Sequence, residues 1–268
     1  MQRITEDGMD YWLGGAGPAL LILHGGGASA EALLGLAELV GQGYRVLIPN
    51  LAGYGRSAPQ DLTKPAMAAH LAVVERAFAL CEGPIDLIGH SMGGFMALRA
   101  SSRQPERVRR LVAIEPMCFG SLHTGDPVDR AALTEDRTAI DALVRLADAG
   151  EVEAGVAAFI DYWGGAPWTS MPERVKARLV AMGRQLRREA YETSYDVTPA
   201  TVYAGLGDRT LLIAGADAPL PARRIVQRLA EAMPGARTRT IAGAGHMHVV
   251  IQPSLFADPV RAWLDAMS

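Results

Sequence analysis

The feature that most constrains this chain is an alternation. Short apolar runs rich in Val, Ile and Leu, at 19–23, 45–48, 85–88, 111–114 and 210–214, together with a strand around Arg239-Thr240-Ile241, are separated by longer segments of helical spacing. Strands that are apolar throughout, joined by helix-length crossovers, build a parallel sheet covered on both faces. Helices are expected over 31–40 (Ser29 as N-cap, Gly43 as stop), 66–81, 93–103, 222–233 and 255–266. In the second of these, Leu71, Val74, Phe78 and Cys81 share one side. The alternation fails once. After Pro116 no strand-like run returns until Thr210, and 134–195 is helical in pattern, broken at Gly150, at Gly164-Gly165-Ala166-Pro167 and at Pro172. The expected architecture is therefore an α/β fold: a mostly parallel, twisted sheet with helices on both faces and an inserted helical cap. The core takes 1–116 and 206–268, and the cap 117–205.

Composition excludes several roles. The 26 basic and 29 acidic residues leave a net charge of −3, with no basic tract to neutralise phosphates, so no nucleic-acid partner is expected. No apolar run approaches the roughly 20 residues that span a bilayer, and the polar start lacks a signal-peptide core, so no membrane is expected and a cytoplasmic location is. Cys81 and Cys118 make neither a disulfide framework nor a zinc site and are expected as free thiols. No metal and no cofactor are called for, and the oligomeric state is left open.

The chemistry lies in the motifs. Gly89-His90-Ser91-Met92-Gly93 fits G-x-S-x-G, with a strand entering and a helix leaving. Such a turn lifts the serine above the sheet, and the helix N-terminus adds positive potential beside it. His24-Gly25-Gly26-Gly27 follows the first parallel strand, Gly53-Tyr54-Gly55-Arg56-Ser57 the second, and Gly245-His246 the last. Together, in this order and spacing, these motifs resemble the capped, single-domain serine enzymes of the α/β-hydrolase superfamily over essentially the whole chain. One departure is Asn50, where the family often carries aspartate; that position is usually structural.

The resemblance implies Ser91 as nucleophile and the backbone amides of Gly26 and Met92 as an oxyanion hole. His246, on a loop at the carboxyl edge of the sheet, is expected to be the base, with His248 its one rival or else a pocket residue. His90 is expected to point away from the site, His24 to tie down the glycine loop, and His70 and His123 to lie on the surface. The acid is ambiguous. Asp217, in Gly215-Ala216-Asp217-Ala218-Pro219, stands one residue early for the family's usual slot; Glu115 ends a buried strand, where some related hydrolases carry theirs, and a buried carboxylate needs a partner. Both remain candidates. Trp163 and Trp168 are candidate pocket-roof residues in the cap, and Met117 a candidate at the pocket mouth. Arg184, Arg187 and Arg188 form a solvated face or an anion site. The expected function is hydrolysis of a small-molecule carboxylic ester through an acyl-enzyme. Carbon–carbon bond hydrolysis and a non-catalytic binding role are the alternatives.

Overall fold

The computed structural model describes residues 1–164 and 166–266. Gly165 of the expected helix break and the last two residues of the expected core range lie outside the described residues.

Among the described residues eight strands form one sheet: β1 (Gln2–Glu6), β2 (Met9–Gly15), β3 (Ala19–Leu23), β4 (Arg45–Pro49), β5 (Ile85–His90), β6 (Val108–Ile114), β7 (Thr210–Gly215) and β8 (Arg237–Ile241). Their order is β1-β2-β4-β3-β5-β6-β7-β8, antiparallel at β1–β2 and β2–β4 and parallel elsewhere. The first two strands were not expected from the apolar pattern. Their signal is the turn: Glu6 pairs with Met9, leaving the two-residue loop Asp7-Gly8, both at positive φ. Asp-Gly between paired strands is a strong hairpin signature.

Alternate residues of β3 serve opposite faces. Leu21 and Leu23 join a core with α2 (Ala66–Ala79), α3 (Met92–Arg103) and α8 (Leu220–Ala232), through Val74, Phe78, Phe95 and Ile225. Leu20 and Ile22 join a second core with α1 (Leu34–Val40) and α10 (Ser254–Asp265), through Val40, Phe256 and Trp263. Between β6 and β7 run α4 (Pro127–Asp148), α5 (Val152–Trp163), α6 (Glu173–Ala181) and α7 (Gly183–Ser194). Helix α4 begins seven residues before the expected start, because the Asp126 carboxylate accepts from the Val128 amide at 2.7 Å and Pro127 suits the first helical position. These helices and the 3-10 turn Trp168–Ser170 between α5 and α6 carry a cluster of their own, Leu143, Val156, Trp168, Leu179 and Leu186. The flanking 3-10 turns, Phe119–Leu122 and Ala200–Arg209, instead send Phe119, Leu122, Tyr203 and Leu206 into the main core.

Asn50 caps β4 and explains its own departure from the family pattern. Its amide nitrogen donates to Asp10 at 2.8 Å while its oxygen accepts from the Ala30 amide at 2.8 Å. The fully buried Asp10 also accepts from Arg3, Thr5 and the Arg56 amide. Burial pushes its carboxyl up, but Arg3, Arg56, Thr5 and Asn50 outweigh burial and hold it at about 2. The carboxylate is here supplied by β2, so an amide is what position 50 requires. Asn50→Asp would set two buried carboxylates face to face. It is expected to cost about 2 kcal/mol at pH 8, read as a lowered Tm. The deficit should shrink toward pH 4, where one of the pair takes a proton; a gap independent of pH would contradict this account.

Candidate active site

Ser91 stands at φ 57°, ψ −122°, between β5 and α3. For a non-glycine residue this is strained, and the strain is held from both sides. The Ser91 amide donates to Ile114 O at 3.0 Å, and its carbonyl accepts from Phe95 at 3.0 Å and Met117 at 3.2 Å. The turn closes only around glycine: a Cβ on Gly93 would stand 2.4 Å from Leu23 O. A Cβ on Gly25, in the loop after β3, would stand 2.9 Å from Ser91 Cβ, so any larger residue there would crowd the hydroxyl.

His246 follows β8 and is buried beside Ser91. Its Nε2 lies 3.0 Å from Ser91 Oγ and its Nδ1 2.6 Å from Glu115 Oε2. A carboxylate only accepts, so Nδ1 carries the proton and Nε2 is left to accept from the serine hydroxyl. Glu115 itself sits at φ 44° just past β6, 1% exposed, with Oε1 accepting from the Gly215 amide at 2.6 Å. The two acid candidates differ in placement. Asp217 is exposed, and its backbone amide donates to Ala244 O at 2.9 Å; the carboxylate on His246 belongs to Glu115.

Other histidines depart from expectation. His90 does not point away: its Nε2–H donates to the His246 carbonyl at 2.9 Å, and the two rings lie 4.7 Å apart. Burial, then the nearby His246, pushes His90 well below the ordinary imidazole value, so it stays neutral. His70 is not on the surface but fully buried, with Nε2 2.9 Å from Glu189 Oε1. Nothing in its local sequence signals this, because the partner comes from α7. His24 acts as expected: Nδ1–H donates to Gly25 O at 2.8 Å and Nε2 accepts from the Leu51 amide at 3.0 Å. Burial lowers its pKa to about 4, keeping it neutral. His123 is exposed. His248, at the start of the short helix α9 (His248–Ile251), accepts from the Gly245 amide at 2.9 Å and does not line the cavity.

That cavity, about 290 Å³, lies between the sheet edge and the insertion and contains Ser91, His246, Gly26 and Met92 on its walls. Met92 opens α3, where an amide has no intrahelical acceptor, and Gly26 is the one residue of 24–30 that is not buried. The remaining walls are mainly apolar, with Phe119, Ile140, Phe159, Leu186, Met117 and Val250. Trp163 is the roof, its ring 4.8 Å from the His246 ring. Trp168 is not part of it; that side chain fills the insertion's own cluster. Arg187 pairs with Asp148 and Arg188 with Glu192. Burial pushes the Cys118 thiol well above its ordinary value, which leaves no thiolate. Among the described residues no group of three or more His, Cys, Asp or Glu is placed to hold a metal ion, and no helix is long and apolar enough to cross a membrane.

Residues 20–258 match the family model described as the Alpha/beta hydrolase family. The chain belongs to this family. A crystal structure of a hydrolase from Pseudomonas aeruginosa PA01 superposes with a TM-score of 0.74 at 25% identity, covering 98% of both chains. Among curated relatives, the dihydrolipoyllysine-residue acetyltransferase component of the acetoin cleaving system of Cupriavidus necator is 27% identical over 241 residues, 87% of this chain and 60% of that protein. The pimeloyl-[acyl-carrier protein] methyl ester esterase of Aeromonas salmonicida is 31% identical over 109 residues, 39% of this chain and 41% of that one. The chain thus spans less than two thirds of either relative.

One wall carboxyl lacks a full set of partners. Asp136 on α4 is 1% exposed; Ser194 donates to one carboxylate oxygen, and the other has no partner. Burial raises its carboxyl to about 7. A group held above its ordinary value supports folding at low pH and loses that contribution as pH rises through the folded value. Asp136→Asn is therefore expected to raise Tm at pH 8, at about 1.4 kcal/mol per unit of displaced pKa, and to change it little at pH 4. Equal effects at both pH values would show that the carboxyl is not displaced.

Proposed function

We propose that the protein is a serine hydrolase of carboxylic esters with apolar acyl groups. The observation that carries this reading is the unbroken chain from Ser91 Oγ to His246 Nε2 at 3.0 Å and from His246 Nδ1 to Glu115 at 2.6 Å, at the floor of the apolar cavity. Ser91 Oγ attacks the ester carbonyl as His246 Nε2 takes its proton. The oxyanion accepts hydrogen bonds from the Gly26 and Met92 amides, each such donor being worth on the order of 10²–10³ in rate. The tetrahedral adduct collapses, His246 hands the proton to the departing alcohol, and Ser91 is left acylated. A water then gives a proton to His246 and attacks the acyl carbon; the acid leaves and Ser91 regains its proton. Glu115 holds the imidazole tautomer and stabilises the imidazolium. The cap, α4–α7, covers the acyl group and excludes bulk water.

Labelling by a fluorophosphonate probe and turnover of p-nitrophenyl esters from acetate to octanoate test this reading. Ser91→Ala should abolish both, and His246→Ala should cost about 10⁴ or more in kcat. Glu115→Gln should lower kcat by about 10³–10⁴, whereas Asp217→Asn should leave it unchanged. The reverse order would move the acid to Asp217. Because His246 must be neutral to act, kcat/KM should rise with pH through one ionisation; a profile flat from about pH 5 to 9 contradicts a histidine base. Labelling without any ester turnover would favour carbon–carbon bond hydrolysis, and neither would favour a binding protein.

A further inference from the structure

Glu189 is a carboxylate that the mechanism above does not use, and its burial needs a reason. It projects from α7 of the insertion, is 2% exposed, and lines the same cavity as Ser91. Four side chains donate to it: Tyr54 at 2.5 Å, Gln60 at 2.5 Å, Gln185 at 2.8 Å and His70 at 2.9 Å. Three of these belong to the core, so the charge is held across the junction between insertion and core. Its Oε2 and the Tyr54 hydroxyl are also close to the glycine loop: a Cβ on Gly26 would lie 3.9 Å from Tyr54 Oη and 4.0 Å from Glu189 Oε2.

Tyr54 is the link. A phenol has one proton to give. Because that proton goes to a carboxylate, which only accepts, the oxygen turns its lone pairs elsewhere, and there it accepts from the Gly27 amide at 2.9 Å. Tyr54 is 1% exposed, so no bulk water competes for either bond. Burial, then the Glu189 charge, pushes its hydroxyl well above the ordinary phenol value, so the proton stays on it. The loop is thus gripped on two sides. His24 holds Gly25 from one side, and Tyr54, a core residue whose hydroxyl is ordered by Glu189 of the insertion, holds Gly27 from the other. Gly26 lies between the two grips.

We propose that Glu189, acting through Tyr54, is a positioning residue for the Gly26 amide, so that docking of the insertion on the core and assembly of the anion-binding site are a single event. The inference rests on the reading of the Gly26 and Met92 amides as oxyanion donors. With the insertion displaced, Tyr54 loses the acceptor that sets its polarity, and the loop loses one of its two restraints. The protein would then bind an ester without stabilising its tetrahedral adduct. The carboxylate's charge works against an oxyanion, and its four donors are what make its presence there tolerable.

The test compares wild type, Tyr54→Phe and Glu189→Gln by three measurements: kcat and KM on a p-nitrophenyl ester, Ki for a trifluoromethyl ketone, and Ki for the matching methyl ketone. The fluorinated ketone adds Ser91 to form an oxyanion; its methyl counterpart reports only occupancy of the cavity. Expected are a kcat lower by about tenfold or more in each variant, KM within about threefold, trifluoromethyl ketone affinity falling in step with kcat, and methyl ketone affinity unchanged. Because the two ketones are compared within one protein sample, partial misfolding would weaken both alike. Equal weakening of both ketones, unchanged kinetics, or a kcat raised in Glu189→Gln by relief of its charge would each overturn the proposal. A wild type that turns over no ester and binds both ketones equally would instead sink the oxyanion reading beneath it.

Discussion

The site depends on one backbone conformation, the left-handed turn at Ser91. A serine does not adopt that turn unaided; it is held there by its amide's hydrogen bond to the Ile114 carbonyl, by those its own carbonyl accepts from the Phe95 and Met117 amides, and by glycine at 93, where any side chain would collide with β3. The same bonds tie the ends of β5 and β6 together, which sets Glu115 beside the serine's strand, and Glu115 then fixes His246 through Nδ1. Ser91, His246 and Glu115 are therefore arranged by the sheet rather than by the insertion. The parallel order β5-β6-β7-β8 is what brings their loops to one edge.

Much of this was legible in the sequence because it is local. Strands β3 to β7 announced themselves as apolar runs, and the turn at Ser91 by its glycines between strand and helix; the edge strand β8, Arg-Thr-Arg-Thr-Ile, is mostly polar and exposed. The antiparallel hairpin β1–β2 shows no such run, because β1 is mostly polar and the apolar residues of β2 are interrupted by Asp10 and end at Gly14-Gly15; its signal is the turn Asp7-Gly8. The two acid candidates could not be separated without tertiary pairing: Asp217 and Glu115 both follow strands, and only the geometry puts Glu115 on His246. The histidines fared unevenly for the same reason. His24 was readable because it stands inside the glycine loop and one partner, Gly25, is its neighbour in sequence, whereas the environment of His70 is made by Glu189, 119 residues away.

The insertion behaves as two materials. Its helices α4–α7 share a small cluster of their own, so they can hold shape as a group, while the 3-10 turns at either end are built into the main core. Trp168 and Trp163 mark the division. Five residues apart, one fills the interior of the helical group and the other faces the imidazole. Aromatic residues clustered at a helix break gave no hint of this split, since which side each ring takes is decided by the helix in front and the 3-10 turn behind.

Glu115 also has a bearing on how such a chain can change over time. In a hydrolase whose acid sits after β7, the β7–α8 connection must keep its length, because every insertion there moves a functional carboxylate. Here that connection carries an exposed Asp217 and a proline-rich start to α8, and the carboxylate on His246 comes from the neighbouring strand. On the proposed mechanism that segment carries no catalytic group. It is a place where this scaffold can accept added residues, a graft or a new contact surface, while the strand next to it is closed to variation.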